Sequence, residues 1–205
     1  FRGVEMCEGS TEVPRPLQVR AVRVDLLEPT IDFLVTPRID EGTRAWGGRT
    51  TSEFLTEFKC QVALNGSIFD IFASKRGEPT HVQGLSLSRG DLCVTTNKWD
   101  ALLINTNRRA WIAHSAADAP GAYNGLSGFY ALLSDGRNIG DMGPRHPRSA
   151  AGISRNGRYL ILMAIDGRQP GYSESASTGE TAEWIGKLGA YNALNLDGGG
   201  STTLV

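Results

Sequence analysis

The stretch that decides the fold is residues 192–205, which read Asn192-Ala193-Leu194-Asn195-Leu196-Asp197-Gly198-Gly199-Gly200-Ser201-Thr202-Thr203-Leu204-Val205. Side chains alternate between the two faces of a strand, so Asn195 and Asp197 share one face and the two leucines share the other. The glycines that follow let the backbone approach a ligand closely and can present consecutive N–H groups to an anion. The pattern predicts a site where Asp197 meets Gly198–Gly200, although a plain glycine-rich turn has the same signature.

Composition predicts one globular domain spanning residues 1–205. The chain has 205 residues, 40% of them hydrophobic and 21% charged, which is ordinary for a protein with a buried core. A net charge of −1 gives no attraction to nucleic acid or to an anionic membrane surface. No apolar run is long enough for a transmembrane helix. An anionic ligand would therefore have to be bound by a local group of arginines.

Hydrophobic periodicity predicts a chain rich in strands. Residues 1–15 show no clear period and are expected to be irregular, whereas 17–27 and 31–35 alternate as strands do. Residues 116–127 are rich in Ala, Gly, Pro and Asp and predict a surface loop. Two capping boxes, Thr50 with Glu53 and Ser177 with Glu180, predict the starts of short helices.

The second half of the chain predicts a hairpin followed by a crossover. The Asn156-Gly157 turn joins strand 150–154 to 159–165, which is continuously apolar, as a buried strand is. A helix over 177–189 then leads to strand 193–197. Strand, helix and strand in this order favour a right-handed parallel crossover, which would place Asp166 and Asp197 at one sheet edge. The fold class is therefore α+β, a strand-rich single domain with a mixed sheet and a few short helices.

The cysteines indicate neither a metal site nor a compartment. Cys7, Cys60 and Cys93 lack metal-ligand spacing, and an odd number allows one internal disulfide and one remaining thiol. We expect buried or incidental cysteines, with one disulfide as the alternative.

Four ordered elements together resemble the phosphodiester glycosidase family. They read Ala63-Leu64-Asn65-Gly66-Ser67-Ile68-Phe69-Asp70, Pro147-Arg148-Ser149-Ala150-Ala151-Gly152-Ile153, Ile165-Asp166-Gly167-Arg168-Gln169-Pro170-Gly171-Tyr172-Ser173 and the stretch 193–203. The first departs from the family pattern, because Ser67-Ile68 replaces a Gly/Ala-Phe pair. Members of this family usually continue beyond the last element, so we expect further residues after Val205.

The resemblance implies a hydrolase that cleaves the C1–O bond between an N-acetylhexosamine-type sugar and a phosphodiester. Asp197 and Asp166 are the expected catalytic carboxylates, because glycoside cleavage commonly uses two. His146 is a further candidate acid or base. Arg148 and Arg168 are expected to hold phosphate, since a guanidinium matches phosphate geometry.

The remaining expected substrate-binding residues lie beside these charges. They are Asn65, Gly66, Asn195, Gly198, Gly199, Gly200 and Ser201. Each aspartate could instead cap a turn before glycine, Asn65-Gly66 could be a plain turn, and each arginine could be an ordinary surface residue. Together with the family pattern, they favour a site.

Two rival functions use the same residues. One is a non-catalytic envelope protein that binds glycan or phosphate, and the other is a phosphoesterase that breaks the P–O bond. The sequence requires no cofactor, and a divalent cation, if present, would be held by Asp166 and Asp197. The expected partner is a glycosyl phosphate or an exopolysaccharide, and the resemblance implies a secreted or periplasmic location. No signal peptide is visible, and the oligomeric state is left open.

Overall fold

The computed structural model describes residues 1–40, 43–70, 75–96, 99–115 and 119–205. This part of the chain forms fourteen strands, two α-helices and a final 3-10 turn. The strands are β1 Val4–Thr11, β2 Leu17–Asp25, β3 Trp46–Gly47, β4 Pro79–Thr80, β5 Leu85–Ser88, β6 Asp91–Val94, β7 Ala101–Ile104, β8 Ala110–Ala113, β9 Asn124–Ser127, β10 Tyr130–Ser134, β11 Arg137–Asn138, β12 Arg148–Ser154, β13 Tyr159–Ile165 and β14 Ala190–Asn195. The helices are α1 Thr51–Glu57 and α2 Thr178–Lys187, and the 3-10 turn is Gly199–Ser201.

The larger sheet has seven strands in the order β1-β2-β13-β12-β14-β10-β11. Every strand pair described in it is antiparallel, so the predicted mixed sheet is wrong. The predicted irregular N-terminus is also wrong, because β1 pairs with β2 along its whole length. Glu5 lies opposite Arg23 and forms an ion pair with it. An edge strand with such polar cross-strand pairs lacks the apolar alternation from which strands are predicted.

The second sheet has five strands in the order β6-β5-β9-β7-β8. Its strand β9 falls within the predicted surface loop 116–127, which is therefore wrong for that part; residues 116–118 lie outside the described residues. The predicted strand at 31–35 is wrong as well. Asn124 explains this, since its amide donates to the Phe33 carbonyl (2.9 Å) and its oxygen accepts from Val35 N–H (3.4 Å), in place of a strand ladder.

Two apolar layers hold the sheets and α2 together. Leu194 and Leu196 belong to the core between the two sheets, whereas Ala193 belongs to the core between the larger sheet and α2. The predicted alternation of β14 is thus confirmed. Leu194 is fully buried, and removing a side chain of this kind to Ala costs about 2–5 kcal/mol of stability.

Both predicted helix starts are confirmed by complete capping boxes. Thr50 caps α1 with Glu53, and Ser177 caps α2 with Glu180. In each pair the hydroxyl accepts from the third helical N–H and the glutamate accepts from the cap N–H. The box at α2 is reinforced because Arg15 pairs with Glu180 at 2.5 Å in a buried environment.

The strands β13 and β14, which α2 connects, are not paired with each other, because β12 lies between them and is antiparallel to both. The two strands still run in the same direction. Their C-terminal ends, followed by Asp166 and Asp197, therefore reach the same edge of the sheet. Strands β12 and β10 begin at that edge, so residues from four adjacent strand ends are gathered there.

The three cysteines are free thiols, two of them half-buried and Cys93 buried. In the part of the chain that the structure describes, no helix is long and apolar enough to span a membrane.

Candidate functional site

Asn65 fastens the segment after β14 to the rest of the site. Its amide donates to the Asp197 carbonyl (2.7 Å), and its oxygen accepts from the Ser149 hydroxyl (2.6 Å) and from Thr203 N–H (3.1 Å). Asp197 N–H in turn donates to the Gly66 carbonyl (2.9 Å). The chain around Asn65 and the glycine loop, residues 198–200, therefore form one hydrogen-bonded unit.

Asp197 is a half-buried carboxylate at the start of the glycine loop. Burial raises the pKa of its carboxyl group, and hydrogen bonds from the Ser201 side chain and the Gly198 N–H partly oppose that rise. The Gly198 bond to Oδ1 is 2.9 Å long. A carboxyl group with a raised pKa beside a cavity is a common feature of functional sites.

Asp197 borders a cavity of about 200 Å³, which we call the Asp197 cavity. Of the predicted site residues, Asn65, Gly66 and Ser201 also line it. Arg49 supplies the cationic side chain in the described lining; its guanidinium pairs with Glu57 at 3.0 Å and is mostly buried. The cavity thus holds one carboxylate and one guanidinium, a charge pattern that suits a substrate with a phosphate group.

Arg168 and His146 lie on the other side of the glycine loop. Gly199 has a φ of +62°, and a Cβ added to it would lie 3.1 Å from Arg168 Nη2. That same nitrogen is 3.4 Å from Nδ1 of the exposed His146. The Ser175 hydroxyl accepts from Arg168 N–H (2.9 Å), which holds a residue whose own φ is +59°. Neither Arg168 nor His146 lines the Asp197 cavity.

Arg148 is positioned by carbonyl groups. Its Nε donates to the Ala176 carbonyl (2.9 Å) and its Nη2 to the Pro144 carbonyl (2.7 Å). Burial lowers the pKa of the guanidinium, whereas Asp141 and Tyr130 raise it. It stays charged at any physiological pH. Arg148 is therefore a fixed cation at the sheet edge.

Asp166 and Asn195 are not among the residues that line the Asp197 cavity. Asp166 is fixed through its backbone, because its N–H donates to the Gln18 carbonyl (3.1 Å) and the Ser173 hydroxyl donates to its carbonyl (2.7 Å). Asn195 is 2% exposed, and its amide donates to the adjacent Leu196 carbonyl (2.9 Å). The structure therefore separates the predicted residues into those lining the cavity and those around its glycine loop.

Two residues at the site were missed by sequence reasoning. Arg49 lies just before the α1 cap, and no role was predicted for it. Ser149 is fully buried on β12, and no role of its own was predicted for it. A polar residue inside an otherwise apolar strand was the available signal for Ser149, whereas nothing local distinguishes Arg49 from the other arginines.

A group of three or more His, Cys, Asp or Glu side chains that could hold a metal ion is not found among the described residues. A cation bound by Asp166 and Asp197 therefore stays a prediction.

Gly198 and Gly199 lie against the start of β12, since Gly199 N–H donates to the Pro147 carbonyl (2.9 Å). The Gly199 N–H group is thus engaged in a hydrogen bond within the protein.

Fold and site together define a strand-rich protein with a carboxylate and a glycine loop at one edge of its larger sheet. The family model for phosphodiester glycosidases matches residues 58–205. The chain belongs to the phosphodiester glycosidase family. Arg49 lies outside the matched residues. No curated protein matches the chain.

Three solved structures share this fold. A hypothetical protein from Synechocystis is 17% identical, with a TM-score of 0.77, and the match covers 100% of this chain and 58% of that one. The catalytic domain of zebrafish N-acetylglucosamine-1-phosphodiester alpha-N-acetylglucosaminidase, auto-inhibited by its pro-peptide, is 20% identical, with 100% and 74% covered and a TM-score of 0.76. A candidate exported protein of Burkholderia pseudomallei is 16% identical, with 93% and 69% covered and a TM-score of 0.70. The chain thus spans little more than half of the Synechocystis protein.

Proposed function

We propose that this protein hydrolyses the C1–O bond of a sugar-1-phosphodiester, with an N-acetylhexosamine-type sugar. The observation that carries the proposal is Asp197, a half-buried carboxylate with a raised pKa that lines a cavity together with Arg49. Membership of the phosphodiester glycosidase family supports it, as does the likeness to the zebrafish enzyme, whose name states its substrate.

In the proposed reaction Asp197 either attacks the anomeric carbon, forming a glycosyl ester that water then hydrolyses, or acts as the base that activates a water molecule for attack on that carbon. The C1–O bond breaks, and its electron pair leaves with the phosphate monoester, which is a good leaving group and needs little protonation. Stabilisation of the departing negative charge then matters most. Arg49 in the cavity and Arg168 beside the glycine loop are the cations placed to provide it, and Arg148 adds positive charge at the same edge.

Asp166 and His146 remain the proposed second carboxylate and the proposed acid or base. Asp166 follows β13 and His146 comes just before β12, and both therefore lie at the sheet edge that carries Asp197. His146 is also next to Arg168, beside the glycine loop. Asn65 and Gly66 are proposed to shape the sugar site. The Asn195 side chain is buried, so Asn195 is proposed to contribute by fixing the backbone of β14 close to Asp197.

The test is hydrolysis of methyl N-acetylglucosaminyl-α-1-phosphodiester by the wild type and by Asp197→Asn. Loss of an essential carboxylate is expected to lower kcat by at least a thousandfold, about 4 kcal/mol in activation free energy. Asp135→Asn is the matched control, because Asp135 is an exposed turn residue between β10 and β11 and has a φ of +50°, which Asn tolerates well. It should keep full activity.

Full activity in a folded Asp197→Asn protein would refute this role of Asp197. A folded wild type that binds the diester without turnover would establish the envelope-binding alternative. Adding a chelator to the same assay tests the proposed divalent cation, since loss of turnover restored by Mg²⁺ or Ca²⁺ would establish one. A secreted or periplasmic location is proposed as well, tested by fractionating the cells that produce the protein.

A further inference from the structure

Three aromatic rings form a contiguous cluster beside the glycine loop. The Trp99 and Phe129 ring centroids are 5.4 Å apart, and the Phe129 and Tyr130 centroids are 4.2 Å apart, both edge-on. Trp99 and Phe129 are half-buried, whereas Tyr130 is 56% exposed. We call these three residues the aromatic platform. A single exposed aromatic residue is ordinary, but one backed by two more rings is a preformed apolar surface.

The platform lies at the same sheet edge as the candidate site. Tyr130 begins β10 and is paired with Asn195, two residues before Asp197. Phe129 N–H donates to the Asn195 carbonyl (2.7 Å). Because paired strands are about 5 Å apart, Tyr130 lies on the order of 10 Å from Asp197, measured between backbones. One side of the glycine loop therefore carries Arg168 and His146, and the other carries the platform.

Close packing of Gly128 positions the backbone from which Phe129 and Tyr130 extend. Gly128 lies so close to β14 that an added Cβ would be 2.3 Å from Leu194 Cγ and 2.5 Å from the Asn195 carbonyl oxygen. Gly128 N–H also donates to the Asp100 carbonyl (2.9 Å), which ties the residue before Phe129 to the residue after Trp99. A surface already fixed in one conformation loses little entropy when a ligand binds.

Charge around the platform indicates what kind of ligand it takes. Tyr130 is close enough to Arg148 to interact with it electrostatically, and Arg148 is a fixed cation. An apolar face next to positive charge suits a molecule with apolar C–H faces, a polar rim and a phosphate group. A pyranose ring in a glycosyl phosphate has all three features, whereas an apolar protein partner would need a larger exposed patch than one ring.

We infer that the aromatic platform is a subsite for a second pyranose ring, so that the substrate is an oligomeric or polymeric glycosyl phosphate instead of a small diester. This inference rests on the proposed function for the identity of the reaction, and it adds the class of substrate. Tyr130 is the residue that stacks on the ring, and Phe129 and Trp99 hold it in place.

The kinetic test compares two substrates. One is methyl N-acetylglucosaminyl-α-1-phosphodiester, and the other carries the same diester on the N-acetylglucosamine trisaccharide. Tyr130→Ala is expected to raise KM for the trisaccharide diester about tenfold, as truncation of one aromatic anchor does, with kcat within about twofold. On the small diester both constants should stay within about twofold. Tyr130→Phe keeps the ring and should resemble the wild type on both substrates.

Leu27→Ala is the control, because Leu27 is a large apolar residue that is 67% exposed just after the end of β2 that lies away from the site. It should change neither substrate's kinetics. An equal loss on both substrates in Tyr130→Ala, or no loss on the trisaccharide diester, would overturn the subsite.

A binding measurement separates this inference from the proposed function. Calorimetric titration of the free N-acetylglucosamine trisaccharide into Asp197→Asn needs no turnover. Binding about tenfold tighter than to the Asp197→Asn/Tyr130→Ala double variant supports the subsite, even if neither diester is hydrolysed and the proposed reaction fails. No binding, or equal binding to both proteins, overturns the subsite even if the small diester is hydrolysed.

Discussion

The Asn65 amide is predicted to be the most sensitive single side chain for the stability of the site. It makes three hydrogen bonds, to the Asp197 carbonyl, the Ser149 hydroxyl and Thr203 N–H, at 2.7, 2.6 and 3.1 Å. A net contribution of about 1 kcal/mol for each bond gives a loss of about 3 kcal/mol for Asn65→Ala. Since Ser149 is fully buried, its hydroxyl would be left without this partner, which adds to the cost.

Urea unfolding followed by circular dichroism measures this loss. The midpoint should fall at an unchanged m-value, and the melting temperature should fall by roughly 6–12 °C for a domain of this size. Asn65→Asp keeps the two hydrogen bonds that residue 65 accepts and loses the one that it donates to the Asp197 carbonyl. It therefore loses one hydrogen bond where Asn65→Ala loses three, but its carboxylate would repel the Asp197 carbonyl. Gln61→Ala, at an exposed amide four residues away, is the control and should change stability by less than about 0.5 kcal/mol.

A double-mutant cycle between Asn65→Ala and Ser149→Ala tests the origin of the effect. Residues that share a hydrogen bond usually show a coupling of about 0.5–3 kcal/mol. A loss below about 1 kcal/mol in Asn65→Ala, or strictly additive single variants, would refute the argument that this amide fastens the glycine loop to the sheet.

Three other predictions concern neighbouring features. Gly199→Ala should lose about 1–2 kcal/mol of stability and much of the turnover, because its φ is +62° and the added methyl would press on Arg168, whereas Gly200→Ala has open space and should be neutral in urea unfolding. Because the pKa of Asp197 is raised in the folded state, its contribution to stability is present below the pKa of the unfolded carboxyl and is lost as pH rises through the folded pKa. Across pH 3–8 the free energy of unfolding of the wild type should therefore decrease relative to that of Asp197→Asn as pH rises. If Asp197 reacts as a carboxylate, the acidic limb of kcat/KM should follow that same raised pKa of the free protein, and an acidic limb at the usual Asp value would contradict this. Arg15→Ala should lose about 3–5 kcal/mol, because it leaves Glu180 buried without its cation, and an unchanged unfolding midpoint would show that the pair contributes nothing.

The sequence predicted those elements that are determined by residues close together in the chain. The capping boxes at Thr50 and Ser177, the turn at Asn156-Gly157 and the alternation of β14 all depend on residues close in the chain. Strand partners depend on distant residues instead. Periodicity gives the strand and its buried face, but it does not give the neighbour, so β12 was not expected between β13 and β14.

The position of a candidate residue was predictable where a motif places it near a strand end, and it was not where tertiary contacts place it. Asn65, Gly66 and Ser201 line the Asp197 cavity, and their roles stay predictions. Arg49 enters the same cavity from the loop before α1, and Tyr130 reaches the site through pairing of β10 with β14. Both placements result from long-range packing, and no local residue pattern signals them.

The most direct test of the proposed reaction is hydrolysis of methyl N-acetylglucosaminyl-α-1-phosphodiester in ¹⁸O-labelled water, with mass spectrometry of both products. Attack at C1 predicts that the label enters N-acetylglucosamine and that methyl phosphate contains none. Label in methyl phosphate would mean that the P–O bond breaks, and it would contradict the assignment of Asp197 to chemistry at the anomeric carbon.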